Sequence, residues 1–256
     1  MITNYSRPST LEEAYQLMQN KELKAIALAG GSSVVQHRFS GEQLALVDLQ
    51  SLGLDSIEIE NNVMRIGAMA RLNDIMNLDG IAPNLQQAIY LETNFNLRNS
   101  ATIGGTILSG GDTCPLVTAL LAMDAQLVWY PGNKVEPLSD WMLRKDDYIG
   151  MILTAVHVQM NTMLAFEYIS RSPADKVALC IAICAWSSGR IRVAISGSSP
   201  QPILAMDGPN SAGVEVATQN AYSQYTSKHN NPIYTKQMIS LLTNRTIASL
   251  RVGGAQ

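Results

Sequence analysis

The sequence is poor in the residues that mark several functional classes. Among 256 residues there are 3 cysteines and 3 histidines. Cys114, Cys180 and Cys184 form no disulfide framework. No H-E-x-x-H and no paired C-x-x-C occurs, and His37, His157 and His229 are scattered, so no metal site is predicted. The cysteine spacings that hold a [2Fe–2S] cluster are missing too. No glycine pair leads into the Lys of a P-loop, and no G-x-G-x-x-G opens a helix after a strand. Net charge is -3, with both signs interspersed and no basic block, which argues against nucleic-acid binding. The longest apolar run, Val177 to Trp186, is too short to span a bilayer, and nothing at the N-terminus reads as a signal peptide. A soluble cytoplasmic protein is expected. No nucleophile, base or acid constellation stands out, so no catalytic residue is assigned.

What the sequence does have is a pair of small-residue turns. One is Ala27-Leu28-Ala29-Gly30-Gly31-Ser32-Ser33-Val34; the other is Thr102-Ile103-Gly104-Gly105-Thr106 within Arg98 to Ile107. Glycine allows close backbone approach and φ > 0. Exposed amides in such a turn, with hydroxyls beside them, can make a concave anion site. An isolated Gly-Gly is equally a tight strand-to-loop turn. Two such turns suggest two walls of one diphosphate pocket.

Around these turns the elements read as follows. Ile2 to Pro8 is extended, and Ser9-x-x-Glu12 and Thr10-x-x-Glu13 are overlapping capping boxes for a helix with Leu11, Ala14, Leu17 and Met18 on one face. Strands are expected at 24–29 and 44–49. Alternation around Asn61-Asn62 predicts a hairpin within 56–72. Helices are expected over 82–90 and from Pro115 towards Ala125, the second with a polar cap in Asp112 or Thr113. Further strands are expected at 126–130 and 149–158. Ser187-Ser188-Gly189-Arg190 reads as a hairpin turn. Cys180 and Cys184 would share one strand face among apolar neighbours, which favours a core role over a metal role. From Gly208 onward the chain is polar, with one helix expected over 235–250.

The wider text carries a family resemblance. Leu97-Arg98-Asn99-x-Ala101-Thr102-Ile103-Gly104-Gly105 resembles the second flavin motif of the FAD subunits of molybdenum hydroxylases. These include the xanthine dehydrogenase flavin domain and the medium subunit of carbon monoxide dehydrogenase. Leu28 to Ser33 resembles the family's first motif, Pro8 to Ala14 its opening, and Ile66 to Leu72 the Ile-Gly-Ala stretch behind the flavin. The resemblance implies an α+β fold: a two-subdomain α/β FAD-binding part and a small C-terminal sheet-and-helix domain, divided at 1–55, 56–165 and 166–256.

It also implies roles. The cofactor would be FAD, with molybdopterin and the [2Fe–2S] centres on partner subunits, one large and one small, and a dimer of heterotrimers as the candidate assembly. Residues 27–34 and 102–106 would hold the diphosphate through backbone amides and through the hydroxyls of Ser32, Ser33, Thr102 and Thr106. Asp112 would meet the ribose or adenine side, a role compatible with capping the following helix. Ile152 would pack on the cofactor; on its own it reads as a core strand residue. The isoalloxazine would lie where the central subdomain meets the C-terminal one, and electrons would pass from a partner's iron–sulfur cluster through FAD to an external acceptor. One departure stands out: Glu167 replaces the Lys of the family's Phe-Lys-x-x-x-Arg hinge, so that cationic role is not carried over, and Lys176 is the nearby candidate for it. Two other readings stay open, a stand-alone FAD oxidoreductase and a scaffold that has lost the cofactor.

Overall fold

In the computed structural model, which describes residues 2–20, 23–32, 43–172, 175–197, 199–223 and 232–253, the chain separates into two units. The first comprises 1–75, 95–109 and 126–158; the second comprises 76–94, 110–125 and 159–256.

In the first unit, β1 (Ile2–Ser6) leads to α1 (Leu11–Met18), β2 (Lys24–Leu28) and β3 (Leu44–Asp48). The three strands form a parallel sheet in the order β1–β3–β2. Of the two capping boxes, the one at Thr10 is used. Its hydroxyl accepts the Glu13 N–H at 3.2 Å, and the Glu13 carboxylate reaches back to the Ser9 N–H at 2.9 Å. The expected apolar face of α1 then packs with Val47 and Leu49.

A five-stranded sheet follows, in the order β4–β5–β8–β6–β7, made of β4 (Ile57–Glu60), β5 (Val63–Gly67), β6 (Gln126–Tyr130), β7 (Lys134–Pro137) and β8 (Ile152–Gln159). Asn61 and Asn62 sit at φ 49° and 63°, the two positive values a tight primed hairpin turn requires. Three helices connect this region: α2 (Leu72–Met76), then, past α3 (Pro83–Glu92), α4 (Phe95–Arg98) and α5 (Ile103–Ser109).

The second unit takes α3 and α6 (Pro115–Ala122) and builds a four-stranded antiparallel sheet, β12–β11–β10–β9. Its strands are β9 (Thr162–Ile169), β10 (Leu179–Trp186), β11 (Ile191–Ser196) and β12 (Ile203–Gly208). Strand alternation sorts β10 into two faces. Leu179, Ile181 and Ile183 pack with Val214 and Tyr222 of α8 (Val214–Ser223) and Ile239 and Leu242 of α9 (Pro232–Gly253). Cys180 turns the other way, with its Sγ 3.6 Å from Thr118 Oγ1 on α6. Every residue of α6 is buried, as expected for a helix pressed on a sheet. α7 (Leu138–Leu143) returns to the first unit, between β7 and β8.

Three readings change here. The stretch after Gly208 holds a second helix, α8, besides the expected one. Phe166 to Ile169, read as a hinge, belongs to β9, where Glu167 meets Arg245 of α9 at 3.7 Å. Asp112 does not cap α6. Its Oδ1 accepts the Thr113 N–H at 2.9 Å, whereas the cap comes from Glu92 at the end of α3, whose Oε2 accepts the Leu116 N–H at 2.9 Å. Capping by a residue 24 positions away leaves no local signature.

Candidate cofactor-binding site

The loop after β2 and the start of α5 meet backbone to backbone. A Cβ on Gly30 would stand 1.8 Å from the Ser100 carbonyl oxygen, so only glycine permits this approach. Gly104 is equally constrained: a Cβ there would lie 2.8 Å from the Ala68 carbonyl oxygen. One glycine of each pair therefore serves the protein's own packing. Gly31 and Gly105 are the roomier ones. A Cβ on Gly105 would meet Thr102 Oγ1 at 3.0 Å and Ala29 Cβ at 3.9 Å, and Gly31 adopts φ +72°.

Segment 102–106, expected as a turn with exposed amides, opens a helix instead. Thr102 caps it, its Oγ1 accepting the Gly105 N–H at 3.1 Å. The Ile103 amide donates to the Ala70 carbonyl, that of Gly104 to Ala68, and that of Thr106 to Thr102. The Thr106 hydroxyl donates to the Thr102 carbonyl at 2.9 Å. These donors are spent within the protein. In the first motif, by contrast, no backbone carbonyl among the described residues accepts from the amides of Gly30, Gly31 or Ser32. Donors for an anion thus concentrate in 30–32 and in the O–H of Thr102, whose oxygen is already accepting.

Both motifs line one cleft of about 360 Å³ within the first unit, in the size range of small-molecule sites. Of the expected cofactor residues, Ala27, Ala29, Gly30, Gly31, Ser32, Thr102, Gly104, Gly105 and Ile152 line it. Leu28, Ile103 and Thr106 do not; Ile103 is 1% exposed and faces the core. Ser33 and Val34 lie outside the described residues. Asp112 is an exposed residue of the second unit. The lining also includes residues with no sequence signal of their own, such as Met18, Leu49, Leu108 and Met151. Met69 falls in the Ile66 to Leu72 stretch that the family resemblance places behind the flavin. No described lining residue is ionisable. A diphosphate there would be held by neutral donors, the rest of the molecule by apolar walls.

A family model for the FAD binding domain in molybdopterin dehydrogenase matches residues 1–158. This chain belongs to that family. It is similar to the uncharacterized protein YgfM of Escherichia coli K12, 28% identical over 208 residues, covering 81% of this chain and 79% of that protein. It is also similar to the xanthine dehydrogenase FAD-binding subunit of Escherichia coli O157:H7, 27% identical over 228 residues, or 79% and 76% of the two chains. Among solved structures, a chain of carbon monoxide dehydrogenase from Hydrogenophaga pseudoflava superposes with a TM-score of 0.78 at 21% identity, covering 98% of each chain. The α+β flavoprotein fold expected from the motifs is the fold observed.

The family's cofactor and the cleft are compatible. The cradle at Gly31 and Gly105 is open where side chains would intrude, and the first motif offers amide donors. Burial pushes the Cys180 thiol up to about 12 and that of Cys184 to about 11, so neither is a ready thiolate. Among the described residues no cluster of three His, Cys, Asp or Glu could hold a metal, and no helix is long and apolar enough to cross a membrane.

Proposed function

We propose that the chain is the FAD-binding electron-transfer subunit of a molybdenum hydroxylase complex. The observation that carries this reading is the convergence of both glycine motifs on one cleft. When bound, FAD supplies the capacity to take electrons singly and release them singly or in pairs. The protein's own share is binding and orientation. The amides of 30–32 and the Thr102 hydroxyl hold the diphosphate; Gly31 and Gly105 give it room; Met69, Ile152 and Leu153 wall the cleft and keep water from it. No side-chain acid or base is needed for such a role.

As the family membership suggests, electrons would arrive from an iron–sulfur cluster on a small partner subunit. Substrate oxidation would take place on a molybdopterin-binding large subunit. The name of the xanthine dehydrogenase FAD-binding subunit supports, by likeness, a place as the FAD-binding subunit of a larger enzyme. The test is the visible spectrum of protein purified without added cofactor, followed by chromophore release. FAD at about one per chain is the expected result. A folded, colourless chain that also refuses added FAD overturns the reading. Co-purification of iron and molybdenum from the native source distinguishes a complex subunit from a stand-alone flavoprotein.

A further inference from the structure

The cleft has two walls of different origin within the first unit. One comes from α1, β2 and the loop after it, with Met18 at the end of the helix; the other comes from the ends of β5 and β8, with Met69, Met151 and Ile152, and the start of α5, with Thr102, Gly104 and Gly105, lines the cleft between them in sequence. Two contacts run from α1 to β6 of the five-stranded sheet, and a third joins Gln19, just past α1, to Gly150 in the turn before β8. The Tyr130 hydroxyl donates to Glu12 Oε2 at 2.6 Å. The rings of Tyr15 and Tyr130 meet edge to face, centroids 5.9 Å apart at 78°. Gln19 Nε2 donates to the Gly150 carbonyl at 3.0 Å. Gln19 and Gly150 immediately follow Met18 and precede Met151, one residue of each wall. Gly150 sits at φ +80°, a backbone conformation that favours glycine, and a Cβ there would displace the Gln19 amide, whose Nε2 would lie 2.6 Å away.

None of Glu12, Gln19 or Tyr130 lines the cleft. We propose that Gln19 and the Glu12–Tyr130 pair are positioning residues that latch the two walls together and set how long FAD stays bound. This rests on the FAD reading. The buried cluster of Ala14, Val47, Leu49, Met69 and Ile152 joins the same elements without the latch, so the fold survives its loss. The latch adds hydrogen bonds to walls otherwise held by this apolar cluster and by the approach of Gly30 to Ser100, and preorganisation of this kind acts on dissociation.

The test measures FAD dissociation from the full chain by flavin fluorescence after dilution, beside the melting temperature of the apo form. Tyr130→Phe keeps the ring pair and removes the hydrogen bond; Gln19→Ala removes the other. Each should speed FAD release about three- to tenfold, the scale of one net hydrogen bond, with the apo melting temperature lowered by no more than about a few degrees. Glu12→Ala should match Tyr130→Phe, and Glu12→Gln, which keeps an acceptor for the phenol, should restore slow release. Release within twofold of wild type in both Tyr130→Phe and Gln19→Ala overturns the latch, as does faster release that merely tracks a fall in apo stability. A wild-type chain that binds no FAD overturns the cofactor reading and the latch with it; binding by wild type with unchanged variants overturns the latch alone.

Discussion

At the scale of single residues, the four glycines of the two motifs are not equivalent. Gly104 is packed on Ala68, whereas Gly105 looks past the Thr102 hydroxyl toward Ala29 across the cleft. Gly104→Val should damage the fold itself, because an overpacked backbone contact costs roughly 1–3 kcal/mol or more. Gly105→Val should cost less stability than Gly104→Val, because its Cβ meets a hydroxyl rather than backbone, and should strip the cofactor, since Gly105 lines the cleft. Flavin content and thermal melts measured together separate the two. A folded Gly105→Val variant with full flavin content would remove the cleft from consideration as the FAD site. The motif text alone ranks the glycines equally; only the backbone they touch tells them apart.

At the scale of elements, much of the architecture is written locally. Thr10 and Glu13 announce α1, Asn61-Asn62 the first hairpin and Gly189 the turn between β10 and β11, because caps and turns are chosen by neighbours in sequence. What the sequence hides is long-range. The cap of α6 comes from Glu92, and the short β7 and α7 lie in a stretch whose pattern is too brief to read. The amides of 103–106 look available until Ala68, Ala70 and Thr102 are seen to accept them.

Two element ends carry predictions. The helix α6 ends with Asp124 at φ +57° and a bond from the Ala125 N–H to the Leu120 carbonyl at 3.0 Å, a helix stop that glycine usually makes. Asp124 repays its strained backbone by pairing with Arg190 at 2.9 Å and with the buried Arg192 at 2.5 Å, both arginines also meeting Asp207. Asp124→Ala leaves Arg192 short of its partner and should cost about 3–5 kcal/mol by denaturant unfolding, although Asp207 remains to soften the loss. A cost below about 1 kcal/mol would show the network to be ornamental.

At the start of the same helix, burial holds the Glu92 carboxyl above the usual glutamate range, against the pull of its bond from the Leu116 amide. A folded value above the unfolded one means the native state binds the extra proton. The stability this brings is fully present below the ordinary glutamate range and is lost as pH rises through the folded value. Glu92→Gln keeps an acceptor for Leu116 and has no charge to bury. Its unfolding free energy should therefore lack the decline that wild type shows as pH rises through that window. Parallel pH profiles for the two proteins would contradict the assignment.

At the scale of the whole molecule, the division into two units assigns stability and cofactor differently. Every described lining residue of the cleft belongs to the first unit, and the family match ends at residue 158, where the last segment of that unit ends. The second unit holds its own core, a sheet with α8 and α9 on one face and α6 on the other. A ligand that binds only the native state stabilises it by about 2.7 kcal/mol at a hundredfold excess over its Kd. That gain falls first on the segments forming the site, because local opening there is what the ligand opposes. Hydrogen exchange with and without FAD should accordingly slow most at 24–32, 66–69, 102–109 and 151–153, and less across 179–196. Protection largest in 179–196 would move the cofactor to the second unit and would leave the glycine pairs as turns. Slowing on both sides of the Gln19–Gly150 contact, near Met18 and Met151, would in addition place the cofactor's stabilising effect at that contact.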